Sequence, residues 1–162
     1  MTVVLPESAQ RVQDFLLAKG FSFYVRELPG SCRTAEEAAL SVGCEVGQIA
    51  KSLVFRDETT DDPILIIASG ANRVDLNKIE KVTGQKLGRA SGSYVKERVG
   101  YAIGGIPPAG HRMPLSTLLD QDLQRYDILW AAAGTPFTVF SLEPGDLPGL
   151  TAGRWLDLAQ SS

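Results

Sequence analysis

Two apolar runs close together in the chain, Lys51-Ser-Leu-Val-Phe55 and Pro63-Ile-Leu-Ile-Ile-Ala-Ser69, constrain the fold more than any other feature. The second is apolar without a break from Ile64 to Ala68, so it has no polar position to turn towards water. The acidic, polar stretch Arg56 to Asp62 lies between them, and the two runs read as a buried hairpin.

Helical signals come mostly before the hairpin and strand signals mostly after it. Residues Ser8 to Lys19 place Val12, Phe15, Leu16 and Lys19 at helical spacing, with Gly20 as a stop. Phe21 to Glu27 alternates as a strand. Thr34-Ala-Glu-Glu37 is a capping box, in which the Thr34 hydroxyl and the Glu37 carboxylate each satisfy an end donor. It opens an alanine-rich helix that runs towards Gly43 and should pack closely against a sheet; a turn at Glu45 to Ile49 follows. Asp75 caps a third helix with Leu76, Ile79 and Val82 on one face and Gly84 at its end, and a short helix follows around Tyr94 to Val99. Strands are expected over Tyr101 to Ile103, Leu115 to Leu119, Ile128 to Ala133 and Phe137 to Leu142, and Pro144-Gly-Asp-Leu147 starts a closing helix. This order predicts an α+β fold with a mixed sheet.

Length and charge narrow the function classes. At 162 residues the chain fits one domain with a sizeable core. No apolar run approaches the roughly 20 residues of a membrane helix, and Met1 to Glu7 lacks the basic start of a leader, so no membrane partner and a cytoplasmic location are expected. Cys32 and Cys44 match no zinc spacing and His111 is the only histidine, so neither a metal nor a cofactor is expected. The net charge of −3 argues against general nucleic-acid binding. However, Arg73 to Arg98 holds seven basic residues against three acidic ones, a local balance of +4. That segment reads either as a basic face for a phosphate backbone, with Arg73, Lys78 and Lys81 as contacts, or as a solvated helical surface.

Three stretches can carry chemistry. Val99 to His111 is an apolar, strand-like run that breaks into a loop of glycines and prolines. Glycine lets backbone approach a ligand, while Pro107 and Pro108 fix φ and offer carbonyls but no donors. A structural turn is the plain alternative. Lys51 opens an apolar strand, where its cation either snorkels out to water or meets an anion. His111 leaves the loop as a general base, a ribose contact or a residue without a role. Trp130-Ala-Ala-Ala-Gly-Thr-Pro-Phe137 turns at Gly134 with small side chains that either line a pocket or make a tight hairpin. No Gly-x-Ser-x-Gly elbow or phosphate-binding Gly-Lys-Ser/Thr loop is present.

Taken in order, Thr34-Ala-Glu-Glu-Ala-Ala39, Gln48-Ile-Ala-Lys-Ser-Leu-Val54, Gly70-Ala-Asn-Arg-Val-Asp-Leu76, Gly104-Gly-Ile-Pro-Pro-Ala-Gly110 and Ala133-Gly-Thr-Pro-Phe137 resemble the YbaK/prolyl-tRNA synthetase-associated editing domain family. The resemblance extends from about Ser8 to the end and implies one domain over residues 1–162, its mixed, mostly antiparallel, curved sheet flanked by helices. It implies an aminoacyl-tRNA deacylase with Lys51 as the functional lysine and Gly104, Gly105 and Ile106 as the loop that orients the ester through backbone groups. Thr34, Ile49, Leu53, Pro107, Pro108, Ala109, Gly110, His111, Ala133, Gly134 and Thr135 are then the expected substrate contacts. Pro107 stands where many relatives have Ser or Thr, which removes a hydroxyl and a backbone donor. His111 follows the loop where many members have other residues, which points to a separate subgroup.

The reading that follows is a free-standing trans-editing hydrolase, with no appended tRNA-binding domain, that clears alanine or another small aliphatic residue from tRNA for proline. Its partners are the aminoacyl-tRNA acceptor end and, for selectivity, prolyl-tRNA synthetase. The alternatives are a cysteinyl-tRNA(Pro) deacylase of the YbaK type, a non-catalytic aminoacyl-tRNA or nucleotide-binding module, and a synthetase partner.

Overall fold

A computed structural model describes residues 4–161. Residues 1–3, part of the stretch read for a leader, and residue 162 lie outside the described residues. The elements run α1 (Glu7–Ala18), β1 (Arg26–Glu27), α2 (Ala35–Val42), β2 (Ala50–Asp57), β3 (Pro63–Ser69), α3 (Leu76–Thr83), β4 (Leu87–Arg89), α4 (Gly92–Val99), β5 (Ser116–Asp120), β6 (Leu129–Ala132), β7 (Thr138–Leu142), α5 (Leu147–Thr151) and β8 (Arg154–Leu156). Short 3-10 turns precede β2, follow β5 and lead into α5.

The expected hairpin is the spine. β2 and β3 pair antiparallel from Ala50↔Ser69 to Arg56↔Pro63 at the centre of a five-stranded sheet of order β4-β2-β3-β5-β8. β3 pairs parallel with β5, and β5 with β8; the other pairings are antiparallel, including those of a second sheet, β1-β7-β6. The mixed, mostly antiparallel character is as expected, but the strands form two sheets. An isolated parallel bridge, Ile49↔Trp130, joins them.

The unbroken apolar run of β3 is explained by cover on both faces. Leu65 and Ile67 point into the main core with Val12 and Leu16 of α1, Val95 and Val99 of α4, and Ala131 and Phe140 of the second sheet. Ile64, Ile66 and Ala68 point the other way, against Ile79 of α3 and Leu158. A third cluster packs Ala38 and Ala39 of α2 onto Val139 and Trp130, so the alanine-rich helix lies on a sheet as expected. Each fully buried Ile or Leu contributes about 1.5–3 kcal/mol here.

Several local expectations change. Of Phe21 to Glu27 only β1 is a strand, because the Gln13 side chain takes the place of a partner. Its Nε2 donates to Phe23 O at 2.8 Å and its Oε1 accepts from Val25 N–H at 2.8 Å. The alternation was real, since Phe23 stacks on Phe140. Thr34 caps α2 by accepting from Glu37 N–H at 3.1 Å, whereas the reciprocal capping box forms after that helix, between Glu45 and Gln48 at the 3-10 turn before β2. Val82 of α3 is exposed. Tyr101 to Ile103 is a turn, closed by Gly105 N–H donating to Ala102 O, and Val99 ends α4 rather than a strand. The short strands β4 and β8 carry too few residues to show a period.

Candidate active site

A cleft of about 300 Å³ opens where the two sheets part. Its walls come from the N-terminal turn of α2 (Cys32, Thr34, Glu36), from Ile49 to Leu53 of β2, from Ile103 to Ile106 and from Ala132 of β6. Gly70 belongs at its floor, since an added Cβ there would lie 2.7 Å from the Ala35 Cβ.

The cleft borders a free strand edge. Gly70 N–H donates to Ile49 O and Asp57 N–H donates to Asp62 O, so odd-numbered residues of β2 bond to β3. Even-numbered residues face the other way, and there β4 pairs only with Phe55 to Asp57. The main-chain groups of Ser52 are therefore left on the open side, facing the cleft. Its hydroxyl oxygen is, among the described residues, the one buried side-chain polar atom without a hydrogen-bond partner. Sequence reasoning passed over Ser52, although a hydroxyl inside an apolar strand was a visible signal.

Lys51 is half-buried, and its Nζ donates to the main-chain oxygen of Asn72 at 2.8 Å. Burial pulls its pKa below the ordinary 10.5, the Glu36 carboxylate opposes this, Arg73 adds to it and Asp120 opposes it. Asn72 is itself held: its side-chain amide donates to Asp120 Oδ2 and to Asp122 Oδ2, each at 2.8 Å.

The Gly/Pro loop is fixed to the β6–β7 turn. Gly134 N–H donates to Gly105 O at 2.8 Å, and a Cβ on Gly105 would lie 2.8 Å from the Thr135 backbone. Gly104 has φ +97°, the left-handed backbone that the third position of its turn requires. Gly105 N–H is spent on Ala102 O, while among the described residues Gly104 N–H and Ile106 N–H have no backbone partner. Within the Gly104–Ile106 stretch that lines the cleft, those two are the amides left for a ligand.

The structure brings Lys51, Gly104, Ile106, Thr34, Ile49 and Leu53 to one cleft. Gly105, Gly134 and Thr135 lie beneath the loop as its clamp. Ala133 is fully buried in the main core, and it is Ala132 that faces the cleft. Pro107 is buried, and Pro108, Ala109, Gly110 and His111 line a different concavity of about 260 Å³ behind the loop. His111 Nε2 lies 2.6 Å from Pro107 O, and burial lowers its pKa below 6.5 although that bond works the other way. The neutral ring thus donates from Nε2 to the carbonyl and braces the loop. Cys32 is buried at the cleft, and desolvation pushes its thiol up to about 11.

The basic segment does not make one face. Lys78 and Lys81 ride on α3, which covers one side of the five-stranded sheet, whereas Lys96 and Arg98 ride on α4 on the other side. Lys78 Nζ is engaged by Asp157 at 3.1 Å and Ala159 O at 2.7 Å. Arg73 and Lys81 are exposed, and Arg73 is close enough to Lys51 to act on its charge.

With this geometry in place, the comparisons with known proteins agree on one family. The aminoacyl-tRNA editing domain model matches residues 30–150. YwhH of Bacillus subtilis, an uncharacterized protein, is 34% identical over 137 residues, covering 84% of this chain and 87% of its own. EbsC of Enterococcus faecalis, named as a candidate Cys-tRNA(Pro)/Cys-tRNA(Cys) deacylase, is 30% identical over 128 residues, covering 77% and 76%. The crystal structure of a candidate trans-editing enzyme for prolyl-tRNA synthetase superposes with a TM-score of 0.91 at 47% identity, covering 98% of this chain and all of that one.

Proposed function

Because this chain belongs to the aminoacyl-tRNA editing domain family, we propose that it is an aminoacyl-tRNA deacylase that acts in trans on tRNA for proline carrying alanine or a similarly small residue. The observation that carries this is the presence of opposite charges in one small cleft: Lys51 on β2 and Glu36 on α2 line it together, near enough for the carboxylate to act on the ammonium, with Gly104 and Ile106 in the same lining. An aminoacyl ester has a cationic α-amino group at one end and nucleotide phosphates at the other. Glu36 suits the first and Lys51 the second. Ile49, Leu53, Ile106 and Ala132 leave room for a small side chain.

The ester is already activated, so the protein has to hold it, exclude bulk water and favour charge on the carbonyl oxygen. Attack of water on the carbonyl carbon expels the terminal ribose oxygen as leaving group. Gly104 and Ile106 N–H are the donors available to the developing oxyanion, and the buried, unpartnered Ser52 hydroxyl lies on the strand beside them. Cys32, protonated at neutral pH, sets the size of the cleft and supplies no nucleophile. Arg73 and Lys81 are the proposed phosphate contacts outside it, and prolyl-tRNA synthetase is the proposed partner for tRNA selection.

Deacylation of alanyl-, cysteinyl-, seryl- and prolyl-tRNA by wild type and Lys51→Ala tests this. Fastest turnover is expected on the alanyl ester and a fall of roughly a hundredfold or more in the variant. Turnover of no ester above the spontaneous rate removes the enzyme reading, and a preference for the cysteinyl ester, the activity named for EbsC, replaces alanine as substrate. Since activity here needs Lys51 protonated, kcat/KM should fall on the alkaline side at a pH below the ordinary lysine value of 10.5.

A further inference from the structure

Asp120 ends β5 with no exposed surface, and among the described residues no cation touches its carboxylate. Three donors hold it instead. Oδ2 accepts from Ser69 N–H at 3.0 Å and from the Asn72 amide at 2.8 Å, and Oδ1 accepts from Asp122 N–H at 3.0 Å. Burying a carboxylate is costly, and capping the turn after β5 needs only the last of these bonds. The other two go to both ends of the Ser69–Asn72 turn, which closes on itself through Asn72 N–H to Ser69 O at 2.9 Å. Asn72 O, at the end of that turn, is the oxygen that receives the Lys51 ammonium. The parallel register that sets Ile67 beside Leu119 brings Asp120 to the end of β3.

We infer that Asp120 is a positioning residue for Lys51, acting through Asn72 to fix the carbonyl to which the ammonium is tethered at the edge of the cleft. This rests on the deacylase reading for its effect on rate, but not for its effect on Lys51. The groups acting on that ammonium are Glu36 from α2, Arg73 from the loop after β3 and Asp120 from β5, while Asp122 holds the second hydrogen of the Asn72 amide. Removing the Asp120 charge takes away one of the two carboxylates that favour the protonated amine, and it leaves Arg73 and burial in place.

The test is an NMR titration of the Lys51 ammonium in the free, full-length protein, comparing wild type with Asp120→Asn. Lys51 is expected to titrate at lower pH in the variant. Loss of the charge alone lowers that titration, so the same NMR experiment also reads the order of the Lys51 side chain, which falls in a folded variant if Asp120 positions it; unchanged order overturns the proposal. Should Asp120→Asn fail to fold, Asn72→Ala removes both side-chain donors and keeps the carbonyl. A drop in the order of the Lys51 side chain then supports the proposal, and an unchanged one overturns it. On the esterase readout, kcat/KM should fall roughly ten- to a hundredfold in Asp120→Asn, with no further loss when it is combined with Lys51→Ala. Additive losses overturn the coupling. If the wild type cleaves no ester, the deacylase reading fails while the order of the Lys51 side chain still decides this one.

Discussion

His111 shows how one contact redirects a residue's role. Its ring donates to Pro107 O behind the loop, and burial holds its pKa below 6.5. The unfolded chain therefore takes up a proton at a higher pH than the folded one. The sign follows: stability falls as pH drops from about 6.5 towards the lowered folded value. Thermal unfolding at pH 7 and pH 5 should show a smaller loss in His111→Gln, which can still donate to the carbonyl but cannot titrate. The cysteines make a second case, because Cys32 is buried with its thiol at about 11, whereas Cys44 is half-exposed and its pKa is raised less decisively. Thiol reagents at pH 8 should modify Cys44 well before Cys32, as peptide mapping by mass spectrometry would read. What was legible at this scale was chemistry that broke its local pattern. Lys51 stood out as a cation in an apolar strand, and Ser52 beside it should have. Asn72 and Asp120 carried no such mark, since their meaning is a contact across 48 residues of chain.

At the scale of elements, the hairpin and the helix caps were readable because their causes are local. Asp75 caps α3 and Gly84 ends it in the left-handed region, as read from the sequence, while Ser91 and Gly100 do the same for α4, a start and stop that the sequence reading did not name. The division into two sheets was not readable, because pairing partners are chosen by tertiary packing and strand period is silent about them. The Gly/Pro loop is intermediate. Its glycines announced close backbone approach, but the partner turned out to be the β6–β7 turn as much as any ligand. Gly105→Ala is therefore expected to displace the loop from Thr135 and cost about 1–3 kcal/mol, measured by denaturant unfolding, with deacylation lost even where the fold survives. Little change in either would mean that the clamp is dispensable.

Over the whole molecule, the uneven charge noted in the sequence resolves into two separate groups on opposite sides of a sheet. Arg73 is near enough to Lys51 to act on its charge, and with Lys81 on α3 it is the proposed contact for the phosphate strand. Reversing both to Glu should weaken tRNA binding and flatten its dependence on salt, while the same change at Lys96 should leave both nearly as they were. Filter binding at two salt concentrations separates the cases, and equal losses from both sites would argue for diffuse attraction. The chain also carries an unusual arrangement at the edge of its larger sheet. β4 is three residues long and stops at Phe55, so β2 runs on towards Lys51 with no neighbour on that side. An unpaired strand of this kind is ordinarily a hazard, a template on which another molecule can polymerise. Here the free stretch borders the cleft, and the length of β4 sets how much of it stays open. Two more paired residues would seal the berth and leave a well-folded protein with nowhere to put its cargo.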